Sequence, residues 1–261
     1  MLSKNQLKYI QSLHQKKYRQ QHGAFLVEGA KSVQEVLQSD FQTELVVATE
    51  AFYKENAPLI DRQRTPVEIA SVADLERAGT LESNNAALAV VRTKENRPLL
   101  AELAEIALIL DEIRDPGNLG TILRIADWYG VPKILCSETT ADIYNPKVIS
   151  ASKGSFTRVS WWYGDVVEVL KQVQSDNVAA PPENQIAVYG AFLNGGDVHT
   201  LPFRKSGYLV MGNESNGIRA EVAKYVTQRV TIPRYGGAES LNVGIATAVL
   251  LDNIRRVTSP N

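Results

Sequence analysis

The chain reads as an α/β protein built on a parallel sheet with helices on both faces, preceded by a smaller α/β unit. Three observations carry that reading. Continuous apolar runs such as "IALIL" (106–110) and "GYLVM" (207–211) alternate with amphipathic stretches of helical period, the pattern of strands buried on both sides. Glycine, asparagine and proline gather after those runs rather than inside them. A charged, aperiodic stretch, "RTKENRPLLAEL" (92–103), then divides the alternation in two.

Residues 3–20 fit one polar helix with Leu7, Ile10 and Leu13 on a single stripe. "AFLVEG" then reads as a strand and "AKSVQEVLQS" as an amphipathic helix. "ELVVA", "VEIA" and "AALAVVR" are further strands separated by helical pieces. The expected organisation is a small domain over 1–95, a linker over 96–104 and a larger domain over 105–261. In the larger domain the strand candidates are "IALILDE", "KILCS", "RVSWW", "IAVYGAF", "GYLVMGNE" and "RVTIP". Helices are expected near 118–129, 145–153, 165–175, 218–228 and 243–256, and "DNVAAPPENQ" (176–185) is a Pro-rich loop.

Several function classes are excluded early. No apolar run approaches the roughly 20 residues that span a bilayer. The first 23 residues carry no apolar signal core, so no membrane association and a cytoplasmic location are expected. Cys136 is the single cysteine, and with His14, His22 and His199 it makes no ligand cluster, so no metal is expected. The net charge of −1 hides an asymmetry. Residues 1–31 hold Lys4, Lys8, Lys16, Lys17, Arg19 and Lys31 against Glu28, a balance of +5 that leaves −6 for the rest. Tyr9, Tyr18 and Phe25 interleave with those cations, as on a nucleic-acid surface, although a solvated helix face has the same composition.

Three loops are richer in glycine and amides than simple connections require: "DPGNLG" (115–120), "MGNESNGI" (211–218) and "PRYGGAESLNVG" (233–244). Each follows a strand, where ligands of parallel sheets bind. None has the lysine and spacing of a P-loop, the dinucleotide fingerprint or a G-x-S-x-G elbow. Glycines for close backbone approach, free N–H groups and the amides of Asn118, Asn213 and Asn242 suit an uncharged heterocycle better than a polyphosphate.

In this order, "DPGNLGTILRIADWYG", "LVMGNESNGI" and "IPRYGGAESLNVGIATAVLL" resemble the three motifs of the SpoU/TrmH family of RNA ribose 2′-O-methyltransferases, within the SPOUT superfamily. "YRQQHGAFLVEGAKSVQEVL" resembles the small substrate-binding domain of many members. The resemblance implies a catalytic domain with a deep trefoil knot, preceded by a ribosomal-protein L30e-like RNA-binding domain. It also implies S-adenosylmethionine as cofactor, S-adenosylhomocysteine as product, and a homodimer. The family's catalytic positions fall on Arg124, Asn118, Glu214, Ser240 and Asn242. Its cofactor positions fall on Gly212, Ile232 and Leu241, with Met211 and Asn213 beside them. The chain departs from the family pattern at Gly244, where serine is frequent, and at Ser150, often basic.

Each residue also has a plainer reading. Arg124 at i,i+3 from Asp127 fits a surface ion pair. Asn118, Ser240 and Asn242 fit helix caps, and Glu214 fits a residue stabilised at a helix start. Lys16, Lys17, Arg19 and Arg234 are the candidate RNA contacts, with Tyr235 beside the last. The function implied is methyl transfer to a ribose 2′-hydroxyl of large-subunit ribosomal RNA. The alternatives are a tRNA guanosine methyltransferase and a catalytically silent ribosome-assembly factor. A dimer is further expected because Val243, Ala246, Val249, Leu250 and Ile254 stripe the last helix, with Ile245 and Leu251 off the stripe.

Overall fold

The computed structural model describes residues 2–258. The chain forms two compact units, Met1–Glu95 with Asp142–Arg158, and Asn96–Ala141 with Val159–Asn261.

The first unit begins with α1 (Lys4–Ser12) and α2 (Lys16–His22). Ser3 and Gln6 start α1 as a reciprocal capping box. The single helix expected over 3–20 is therefore two, and the reason is local. Arg19 turns inward and donates to the Leu13 and His14 carbonyls at 3.0 and 2.9 Å, while i→i−3 bonds tighten residues 13–15. Then follow β1 (Ala24–Glu28), α3 (Ala30–Gln38), β2 (Thr43–Ala48), α4 (Glu50–Gln63), β3 (Val67–Ile69), α5 (Val72–Ala78) and β4 (Ala87–Arg92). The sheet order is β1-β4-β2-β3, with β4 antiparallel to both neighbours and β3 parallel to β2. Ile10, Leu13, Leu26, Leu75, Leu88 and Val90 form the core on the α1 side.

The second unit opens with β5 (Ile106–Asp111), α6 (Pro116–Trp128) and β6 (Lys133–Ser137). The chain then supplies α7 (Pro146–Ser152) to the first unit, where Phe156 meets the rings of Phe25 and Phe41 at 6.0 and 5.6 Å. Gly154 lies against Glu35 with φ +96°, a position that leaves no room for a side chain. Asp142 accepts from Arg19 Nη2 at 2.6 Å.

The second unit resumes with β7 (Ser160–Gly164), α8 (Val166–Ala179), β8 (Ala187–Asp197), β9 (Gly207–Gly212), α9 (Ala220–Ala223), β10 (Gln228–Thr231) and α10 (Val243–Thr258). Its six strands are parallel in the order β10-β8-β9-β5-β6-β7. Ala107, Ile109, Tyr208 and Val210 face Val166, Leu170 and Val222 of α8 and α9. On the other face α10 packs on α6 and β9. Residues 96–104 lie on this unit, with the Ala101 N–H bonded to the Tyr208 hydroxyl at 2.7 Å. Cys136 is fully buried, and burial pushes its thiol up to about 12.

Two helices differ from expectation. The one expected over 218–228 is only α9, because Tyr225 and Val226 close its last turn and Thr227 bonds to Val188 of β8. In α10 the buried stripe is Val243, Thr247, Leu250, Leu251 and Ile254, whereas Ala246 and Val249 are half-buried. Leu251 is thus a core residue, and Ile245, 56% exposed, lies outside it.

Arg19, expected to face RNA, is 3% exposed and spent on Asp142 and two carbonyls. Removing one partner of such a pair leaves an uncompensated charge. Arg19→Ala should therefore cost about 3 kcal/mol in urea unfolding, and a loss below about 1 kcal/mol would contradict the assignment.

Candidate active site

The parallel register places Asp111 of β5 beside Gly212 of β9, so the first two motif loops leave adjacent strand ends. Asp115 caps α6 by accepting from the Asn118 N–H at 2.8 Å, and Pro116 takes the first helical position. Asn118 is therefore not the cap, and its side chain is free to reach outward. Its Nδ2 donates to Glu214 Oε1 at 2.6 Å, and its Oδ1 accepts from Asn242 Nδ2 at 2.9 Å. Asn242 is the residue that caps α10, its Oδ1 accepting from the Gly244 and Ile245 N–H groups at 2.9 and 3.3 Å.

These bonds fix one another's direction. Because Asn242 Oδ1 faces backbone donors, its Nδ2 must donate. Asn118 must then accept through Oδ1 and donate through Nδ2, and the chain ends on a carboxylate that supplies only lone pairs. One residue from each of the three motifs is joined in a single line, Glu214–Asn118–Asn242.

The second loop is a tight reversal. Asn213 and Gly217 exchange backbone hydrogen bonds at 3.0 and 2.8 Å, and Gly217 has φ +68°. Asn213 Oδ1 accepts from the Ser215 and Asn216 N–H groups, while its Nδ2 donates to the Glu112 carbonyl at 2.9 Å. Behind the loop, fully buried Asp111 accepts from Arg219 N at 2.8 Å and Arg219 Nε at 2.7 Å. Burial works against the Arg219 charge, but hydrogen bonding and attraction from Asp111 outweigh it and raise the guanidinium pKa.

Arg124 is exposed on α6, two turns beyond Asn118, and has no hydrogen bond or ion pair to any described residue. The Arg124–Asp127 pair of the plainer reading is absent among the described residues. In the third loop Arg234 Nη1 donates to the Ala238 carbonyl at 3.3 Å, and Tyr235 stands 92% exposed between them. Ser240 is exposed and takes no part in the α10 cap. Met211 is buried, Ile232 half-buried and Leu241 half-exposed. Among the described residues, no backbone N–H from Ile232 to Leu241 donates to a backbone carbonyl. Lys16 and Lys17 are exposed on the first unit.

Sequence reasoning missed three parts of this site. Asp111 was legible only as an acid ending an apolar run, and Glu112 left no signal at all. The third is a bulge in β8, where the partner of β10 jumps from Gly190 to Gly196. The excess residues rise beside the third loop, and Leu193 accepts from Thr231 Oγ1 at 3.1 Å.

A Cβ at Gly212 would stand 2.3 Å from the Gly217 carbonyl carbon and the Ile218 nitrogen, so the turn has no space for a methyl group. Gly212→Ala should cost about 1–3 kcal/mol in urea unfolding, and an unchanged midpoint would show that the turn is not packed this tightly.

Comparison with known proteins agrees with this arrangement. The SpoU rRNA Methylase family model matches residues 105–252, and the MRM3-like substrate binding domain matches 4–89. The 23S rRNA (guanosine(2553)-2′-O)-methyltransferase RlmP of Bacillus subtilis is 29% identical over 97% of each chain. A structure from Porphyromonas gingivalis assigned to the TrmH family of RNA methyltransferases is 37% identical, with TM-score 0.83 over 98% of this chain and 99% of that one. The AdoMet-bound rRNA methyltransferase of Sinorhizobium meliloti is 26% identical, with TM-score 0.86 over 98% and 96%. With three motif loops joined through Asn118 on a parallel sheet, and the family model covering more than half its length, the chain belongs to the SpoU rRNA methylase family.

Proposed function

We propose that this protein transfers a methyl group from S-adenosylmethionine to a ribose 2′-hydroxyl of large-subunit ribosomal RNA. The observation that carries the reading is the Glu214–Asn118–Asn242 line, which holds three loops together at the start of the helix that carries Arg124, unpaired among the described residues. The 23S rRNA specificity named for the B. subtilis relative favours ribosomal RNA over tRNA.

The residues present fit the cofactor. Ile232, Leu241 and Met211 supply apolar surface, and the uncommitted N–H groups of 232–241 supply donors for an adenine edge. Gly212 and Asn213 set the opposing turn. The bound cofactor supplies the electrophilic methyl group, so the chain's own task is alignment and charge. Holding two reactants in attack geometry lowers a barrier by roughly 7–11 kcal/mol.

Arg124 offers a planar fork for an RNA phosphate and for the oxyanion that develops on the ribose. A guanidinium presents only N–H donors and no acceptor atom, so the 2′-hydroxyl proton passes to phosphate or water. Asn118 and Asn242 keep the first and third loops in register, Glu214 anchors the second, and Ser240 faces the substrate. Lys16, Lys17 and Arg234 are the cations that meet RNA phosphates, with Tyr235 next to Arg234 in the third loop.

In this reading residues 1–95 are an L30e-like RNA-binding domain, 96–104 the linker, and 105–261 the catalytic domain with a deep trefoil knot, its 142–158 segment lent to the first unit. The protein works as a homodimer in the cytoplasm. Exposed Trp128 (83%), Ile245 and Val257 on α6 and α10 support a shared apolar face. No described helix is long and apolar enough to cross a membrane, and no described group of three His, Cys, Asp or Glu is placed to hold a metal.

Arg124→Lys separates charge from geometry. Lysine keeps the charge as a point donor and loses the fork. Single-turnover methyl transfer to transcribed ribosomal RNA should fall by about 10²-fold, on the order of 3 kcal/mol, with cofactor affinity unchanged. Turnover near that of the wild type at neutral pH would overturn the alignment role.

A further inference from the structure

Glu112 lies between the buried strand β5 and the first motif loop, and its backbone is left-handed, with φ +61°. A non-glycine residue rarely holds that conformation without surrounding structure that enforces it, and such residues gather at functional sites. All of its polar groups are engaged. The N–H donates to Ser137 Oγ at 2.9 Å, and the carboxylate accepts from Thr139 Oγ1 at 3.2 Å and Arg114 Nη2 at 3.0 Å. The carbonyl accepts from Asn213 Nδ2 at 2.9 Å. That last bond sets the function of the turn. With Nδ2 held by Glu112, Asn213 must present Oδ1 to the Ser215 and Asn216 N–H groups, which shapes the reversal carrying Glu214. Glu214 then meets Asn118.

We propose that Glu112 is a positioning residue for methyl transfer: its left-handed backbone turns its carbonyl onto Asn213 and so sets the second loop where Glu214 reaches Asn118. The inference rests on the methyltransferase reading above. It is the backbone of Glu112 that acts, while its carboxylate braces that backbone through Arg114 and Thr139, two residues beyond β6. Substitution should therefore follow conformational tolerance rather than charge. Glycine and asparagine adopt positive φ readily, and a β-branched residue does not.

The test compares Glu112→Gly, Glu112→Asn and Glu112→Val in the full-length protein. Single-turnover methyl transfer to transcribed ribosomal RNA is measured beside amide hydrogen exchange at Ser215 and Asn216. Glu112→Val should lose at least 10-fold in rate and at least 10-fold in protection at those two amides. Glu112→Gly and Glu112→Asn should restore both to within about threefold of wild type, although each removes the carboxylate. Equal damage in all three would assign the effect to the carboxylate and overturn the proposal, as would full rate and protection in Glu112→Val. Should the wild type transfer no methyl group, the methyltransferase reading fails, and the exchange pattern alone still decides whether Glu112 sets the turn. A Glu112→Val chain that does not fold leaves the decision to the other two, whose unprotected amides would count against the proposal.

Discussion

The side-chain amide of Asn118 is used from both ends, donating to Glu214 and accepting from Asn242. Each partner belongs to a loop that leaves a different strand, β9 for Glu214 and β10 for Asn242. Loops of this kind carry a large ordering cost, and a shared hydrogen-bonded line spreads that cost over three segments at once. The constraint reaches downward as well. Asp115 must cap α6 so that Asn118 is released from capping, and Asn242 must cap α10 so that its Nδ2 points at Asn118. Two helix starts and one strand end thus share a single geometry.

What remains uncommitted is as informative as what is paired. Arg19, a candidate RNA contact in the sequence, is consumed by Asp142 and two carbonyls, and Arg219 is likewise held by buried Asp111. Arg124 is held by nothing among the described residues, although a helix surface offers it an acid at i+3. A guanidinium kept free of neutralising partners keeps its whole donor fork for an anionic substrate. The same contrast separates Tyr235, which stands clear of its loop, from Trp162, which packs on the α8 side of the core.

The parallel sheet was legible because its strands are apolar without interruption and its turns are chemically distinct. "KILCS" coincides with β6, and the three motif loops fall where the strands end. The reading failed where specific hydrogen bonds, near or far in the chain, override periodicity. Arg19 breaks the first helix because its guanidinium takes backbone carbonyls, and no periodicity reports that. Thr227 ends α9 early through a bond to β8, a strand some forty residues away. The site's residue types were visible as amides and glycines in the right loops. Which amide caps and which one bridges depended on the depth at which each helix starts, and the left-handed turn at Glu112 has no signature in a sequence.

The central claim is that Glu214 and Asn242 act on one another through Asn118, without touching. A double-mutant cycle on single-turnover methyl transfer tests it most directly, using Glu214→Ala and Asn242→Ala with and without Asn118→Ala. If the line is one unit, the double variant should be slower than the worse single by no more than about threefold, and the coupling should vanish once Asn118 is removed. Losses that multiply, unchanged by the presence of Asn118, would contradict the account.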